Sequence, residues 1–170
     1  QVDALNRALS ELATTDVLTG LSNRRAFDHH LKLELGIVDR RDTPLSLLVL
    51  DVDHFKRIND THGHETGDKV LQAIAQVLAG CARAIDMIAR VGGEEFAVIL
   101  PNTDAGGALE VAQRMRIAVA QAHCAGHQVT ISVGSATLQS HEDATSLFSR
   151  ADAALYAAKA AGRNRVVSAP

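Results

Sequence analysis

Arg90-Val91-Gly92-Gly93-Glu94-Glu95-Phe96-Ala97-Val98-Ile99-Leu100 sets two glycines between short apolar runs and follows them at once with two carboxylates. Gly-Gly between strand-like runs signals a two-residue hairpin, because the turns that close such hairpins need positive φ, which glycine adopts without steric cost. Val98, Ile99 and Leu100 are good strand formers. The stretch predicts strands near 87–91 and 94–100, with Glu94 at the rim of the hairpin. A tight turn carrying two solvated acids fits the same residues.

A second stretch bears on that choice. Leu45-Ser46-Leu47-Leu48-Val49-Leu50 is nearly continuous in apolar residues, as in a strand covered on both faces, and it runs into Asp51-Val52-Asp53. An acid at the end of a buried strand is costly unless it meets a cation or hydrogen-bond donors. Asp51 and Glu94, brought together across neighbouring strands, make an oxygen-rich site. Such a site suits Mg²⁺, which is held by one or two carboxylates plus substrate phosphates.

Outward from these strands, helical and extended patterns alternate. Val2, Leu5, Leu9 and Leu12 form an a/d seam of barely two heptads, and a short amphipathic helix docked on its own domain fits that spacing equally well. Thr15-Asp16 and Leu18-Thr19-Gly20-Leu21 make a turn, after which Ser22 or Asn23 can cap a helix over roughly 23–39. Polar residues from Arg40 to Pro44 form a loop before the strand at 45–53. Further helices are expected over 65–82, 108–122 and 146–161, the last closed by Gly162 as a left-handed cap. Val129, Ile131 and Val133 alternate with Thr130 and Ser132 as a half-buried strand, and Val166-Val167 make a short last one. Interleaved helices and strands predict an α/β fold, a two- or three-layer sandwich whose sheet the hairpin makes mixed.

The chain has 170 residues, the size of one domain. Hydrophobic residues make up 46% and aromatics only 3%, with no Trp, so the core is aliphatic and alanine-rich. A net charge of −3 and a pI of about 6.2 exclude the basic footprint of a DNA- or RNA-binding domain. No run is long enough for a membrane span, and no signal peptide is visible. Cys81 and Cys124 read as reduced, buried small hydrophobes. The chain begins at Gln1, which reads as a piece cut from something longer.

RVGGEEF, DVDHFKRIND, GHETGD, DVLTGLSNRRAF and ADAALYAAKAAGRNR resemble the signature blocks of the GGDEF family of diguanylate cyclases, in the family's order and from Asp16 to about Arg165. The variant here is GGEEF. The resemblance implies a mixed, mostly antiparallel sheet of about five strands wrapped by helices, similar to the palm of polymerases and nucleotide cyclases. It implies a linker helix over 1–15, a possible coiled coil from an upstream sensor or receiver domain, ahead of a cyclase domain over 16–170. It also implies a bacterial, cytoplasmic setting, with membrane anchoring left to other parts of a longer protein.

The implied reaction joins two GTP into cyclic di-GMP across a homodimer, releasing two pyrophosphates. Asp51, Glu94 and the Val52 carbonyl match the ligands of Mg²⁺ or Mn²⁺. Glu94 also matches the base for the ribose 3′-hydroxyl, and Glu95 an assistant to the second metal. Asp53 matches the motif in a structural part. Lys56, Lys159 and Arg163 match phosphate contacts. Alone, the first would be solvated surface and the other two would complement a helix dipole. Asn59 and Asp68 match guanine readers: a carboxylate accepts from guanine N1–H and N2–H₂, a donor pair adenine lacks. Gly67 beside them would admit a base closely. Arg83 and Asp86, with Arg114 on the next helix, match an inhibitory RxxD site for the product. Without the resemblance, Arg83 and Asp86 read as a surface pair at a helix end. The alternative function is a catalytically silent GGDEF domain that acts as a receptor for cyclic di-GMP or GTP.

Overall fold

The computed structural model describes residues 1–170, the side chain of Leu12 excepted, so that position of the seam lies outside the described side chains. In chain order the elements are α1 (Val2–Thr14), α2 (Arg24–Arg41), β1 (Leu45–Val52), α3 (Phe55–His62), α4 (His64–Cys81), β2 (Met87–Arg90), β3 (Glu95–Pro101), α5 (Ala105–Ala122), β4 (Ile131–Thr137), α6 (Ala144–Ala160) and β5 (Val166–Ser168), with one 3₁₀ turn at Cys124–Gly126.

The strands form one sheet in the order β2-β3-β1-β4-β5. Every pairing is antiparallel except the parallel β4–β5 edge, so the sheet is mixed and mostly antiparallel. All of β1 is buried, as its continuous apolar run requires. Leu45, Leu47 and Val49 face a core shared with α2 and α6, while Leu48, Leu50 and Val52 face one shared with α3, α4 and α5. Helices therefore cover both faces, in three layers. Strand alternation puts Asp51 on the α6 side, and this places the site.

Several expectations need correction. The hairpin is not a two-residue turn: Val91 to Glu94 connect β2 to β3, and the Val91 and Gly92 N–H groups both donate to the Glu95 carbonyl, at 2.9 and 3.2 Å. Neither glycine has positive φ. Gly93 instead leaves open space beside Glu94. Strand β4 runs to Thr137 and is buried on both faces, because its small residues admit α6. A Cβ on Gly134 would meet the Ala151 carbonyl at 2.1 Å. Helix α6 ends at Ala160, and Gly162 closes it as expected with a positive φ of 121°, its N–H donating to the Lys159 carbonyl at 3.2 Å and the Arg163 N–H to the Ala158 carbonyl at 3.0 Å; Arg163 and Asn164 beyond it are left-handed as well, at φ 66° and 45°.

Asn23 caps α2 as expected, accepting from the Ala26 N–H at 2.9 Å, and also donates to the Ala13 carbonyl, which ties the end of α1 to the domain. Along α1, however, Val2, Leu5 and Leu9 are 72, 62 and 56% exposed, so they do not dock on their own domain. No helix among the described residues is long and apolar enough to cross a membrane.

Candidate active site

Strand β1 delivers Asp51 to the mouth of a cleft of about 500 Å³. Its walls bear Asp51, Val52 and Asp53 from the end of β1, Lys56, Arg57 and Asp60 from α3, Glu94 from the hairpin loop, and Lys159 and Arg163 from the end of α6 and the turn beyond. The Val52 N–H donates to the Glu94 carbonyl at 3.2 Å, which fastens the hairpin loop to the strand end. The sequence thus brings Asp51, Val52, Glu94, Lys56, Lys159 and Arg163 together.

Asp51 is buried, with one oxygen on the Lys159 ammonium and the other, Oδ1, without a hydrogen-bond partner. Burial pushes its carboxyl above the usual range and outweighs the Lys159 hydrogen bond and charge, which pull the other way. Its cross-strand neighbour Glu95 is half-buried. Burial pushes Glu95 up too, and the charges of Asp152 and Asp51 add to that, against Lys159 and Arg24. A buried carboxylate oxygen without a donor, next to a second acid whose charge is disfavoured, is the environment that a hard cation relieves. No cage of three or more acids, histidines or cysteines forms among the described residues. Of the cleft's oxygens, the carboxylates of Asp51 and Glu94 and the carbonyl of Val52 could hold a cation, a small set that suits an ion that keeps waters and takes phosphate oxygens.

The expected base readers lie outside this cleft lining. Asn59 on α3 has its Oδ1 buried and unpartnered. A Cβ on Gly67 would sit 1.9 Å from that oxygen, so Gly67 makes room for the Asn59 amide rather than directly for a base. Asp68 follows on the exposed face of α4.

Arg83 and Asp86 occupy a turn after α4, not a helix end. The Arg83 N–H donates to Asp86 Oδ2, and its guanidinium donates to Asp86 Oδ1 and to Thr103 Oγ1, at 2.8, 2.8 and 2.7 Å. The Asp86 hydrogen bond raises the guanidinium pKa further. The Asp86 side chain is 1% exposed and Arg83 46%, so Arg83 presents the outer edge. Arg114 on α5 reaches the same neighbourhood, donating to the Cys81 carbonyl at 3.0 Å.

Sequence reading missed two features. The first is a clamp on the hairpin loop: Arg90 donates from Nε to the Gly93 carbonyl at 2.9 Å and from Nη1 to Asp16 at 3.1 Å. Burial raises the Asp16 carboxyl, but hydrogen bonds from Thr19 and the Arg90 charge outweigh it and hold the group below the usual range. The second is a further pair of charged residues in the cleft, Arg57 and Asp60, one helical turn apart on α3. Their signal was the DVDHFKRIND block itself.

The chain matches the family described as Diguanylate cyclase, GGDEF domain, over residues 13–165. It is a GGDEF domain. Diguanylate cyclase DgcM of Escherichia coli is 43% identical over 97% of the chain and 40% of its own length. The GGDEF domain spans less than half the length of the curated relatives it matches. The coiled coil and GGDEF domain of DgcB from Caulobacter crescentus, solved in complex with c-di-GMP, superimposes with a TM-score of 0.90 at 39% identity, over 99% of this chain and 93% of that one. The active GGEEF domain of a diguanylate cyclase from Vibrio cholerae gives 0.84 at 33% identity, over 88% and 98%.

Proposed function

We propose that this GGDEF domain condenses two GTP into cyclic di-GMP, releasing two pyrophosphates. The observation that carries the reading is the buried, unpartnered oxygen of Asp51 at the mouth of a cleft lined by Glu94, Lys56, Lys159 and Arg163. Mg²⁺ or Mn²⁺, when bound by Asp51, the Val52 carbonyl and Glu94, neutralises phosphate charge and stabilises the leaving pyrophosphate. Phosphoryl transfer of this kind needs positioning and charge neutralisation more than covalent help. Lys56, Lys159 and Arg163 supply the protein's own cations, and a phosphate offers Lys159 an alternative to Asp51. The ribose 3′-oxygen bonds to the α-phosphorus as the bond to the pyrophosphate oxygen breaks, and Glu94 accepts the hydroxyl proton. Glu95 supports the acid cluster from the neighbouring strand position. Asn59 and Asp68 accept the guanine from the α3–α4 side.

One domain offers one such cleft and the product contains two nucleotides, so two copies face each other as a homodimer. The exposed Val2, Leu5 and Leu9 of α1 support pairing of the helices under an upstream sensor or receiver domain. Cyclic di-GMP binds Arg83 and Arg114 as an inhibitor, with Asp86 orienting the Arg83 fork. The reaction belongs in the bacterial cytoplasm, where GTP is available. Asp51→Asn is expected to lower cyclic di-GMP formation at least about a hundredfold, the scale set by losing transition-state charge stabilisation, with unchanged circular dichroism. Product formation at the unmodified rate would overturn the assignment.

A further inference from the structure

The second acid of Asp51-Val52-Asp53 makes contacts unlike those of the first. Asp53 is 6% exposed. Its Oδ1 accepts from Ser132 Oγ at 2.6 Å, and its Oδ2 accepts from Thr130 Oγ1 at 2.7 Å and from the backbone N–H of Asn164 at 3.0 Å. Both oxygens are engaged, whereas Asp51 keeps one without a partner. The carboxylate therefore joins the strand layer to the turn that carries Arg163.

That turn needs holding. Arg163 and Asn164 adopt φ of 66° and 45°, a left-handed conformation that L side chains adopt only when their surroundings impose it. The Arg163 N–H donates to the Ala158 carbonyl at 3.0 Å, tying the turn to the end of α6. The Asn164 N–H donates to Asp53, and Arg116 Nη1 donates to Asn164 Oδ1 at 3.2 Å. With its backbone fixed on both sides, Arg163 lines the cleft.

We propose that Asp53 is a positioning residue that aims Arg163 at the phosphates of the nucleotide, an inference that rests on the nucleotide reading of the cleft. Asp53 neither holds the metal nor touches the substrate. It fixes the Asn164 amide, and so the direction in which the Arg163 side chain leaves the chain. An asparagine there keeps the volume but removes the charge, so the Asn164 N–H is left with a weaker, neutral acceptor.

The test is a double-mutant cycle on GTP affinity, measured by calorimetry with Ca²⁺ in place of Mg²⁺. Asp53→Asn is expected to weaken GTP binding about tenfold, the cost of one misaimed charge-assisted contact. Arg163→Ala alone should cost a similar factor. The double variant should lose no more than the single ones, because both remove the same interaction. Additive losses, about a hundredfold together, would overturn the proposal. So would a fall in Mn²⁺ affinity, by electron paramagnetic resonance, matching that of Asp51→Asn. Should Asp53→Asn fail to fold, Thr130→Val removes one donor with little change in shape, and its smaller effect must also vanish in the Arg163→Ala background. Hydrogen exchange separates this proposal from the nucleotide reading. In the ligand-free protein the Asn164 amide should be protected and should lose part of that protection in Asp53→Asn; unchanged protection overturns the Asp53 contact, whereas failure of the unmodified domain to bind GTP overturns the reading of the cleft.

Discussion

Gly134→Ala places one methyl group between β4 and α6. The added Cβ would lie 2.1 Å from the Ala151 carbonyl oxygen and 2.3 Å from the Leu155 nitrogen, where ordinary contact begins at 3.4 Å. Helix α6 must therefore retreat by about 3.4 − 2.1 = 1.3 Å. It cannot do so cheaply, because Leu147, Ala151, Ala154, Leu155 and Ala158 are buried along it. Overpacking a core costs about 1–3 kcal/mol, and a clash with backbone rather than a flexible side chain belongs at the upper end, about 3 kcal/mol. For a domain of this size each kcal/mol moves Tm by about 2–4 °C, so a fall of about 6–12 °C is expected. Lys159 rides on the same helix, so its hold on Asp51 loosens and GTP turnover should fall below what the folded fraction explains. Thermal melts followed by far-ultraviolet circular dichroism measure the first effect. A Tm within about 2 °C of the unmodified domain would refute the packing argument.

Two further outcomes follow from the acids and arginines around the hairpin. Glu95 has its carboxyl raised by burial and by Asp152 and Asp51, so its contribution to stability is fully present below the unfolded value of 4.5 and is lost as pH rises through its folded value. Glu95→Gln should therefore raise Tm at pH 7, with the advantage shrinking as pH falls toward 4.5; an advantage that does not change with pH would count against that origin. Arg83→Ala should weaken cyclic di-GMP binding at least about tenfold by calorimetry while leaving the initial rate intact, and unchanged affinity would remove Arg83 from the product site.

The central strand and its acid were legible because a continuous apolar run with a carboxylate at its end has few physical solutions. Val98-Ile99-Leu100 likewise announced β3, and the five signature blocks announced the family. Local patterns failed where tertiary contacts decide. Helix α3 was not anticipated, since only Phe55 and Ile58 of its residues pack toward the core and it starts from a left-handed His54. Gly134-Ser135-Ala136 contains no strong strand former, yet β4 continues through it because only small residues let α6 approach. The ties of Asp16 to Arg90 and of Asp53 to Asn164 span 74 and 111 residues, beyond the reach of any periodicity. Gly92 and Gly93 invited a turn with positive φ, and the wider loop they occupy does not use it.

The measurement that bears most directly on the cleft is the rate of cyclic di-GMP formation from GTP and Mg²⁺ as a function of protein concentration. Product is expected, at a rate per mole of domain that rises with concentration and rises further when a stable coiled coil is fused in register with Val2, Leu5 and Leu9. No cyclic di-GMP at any concentration from the folded, coiled-coil-fused domain would contradict the cyclase reading.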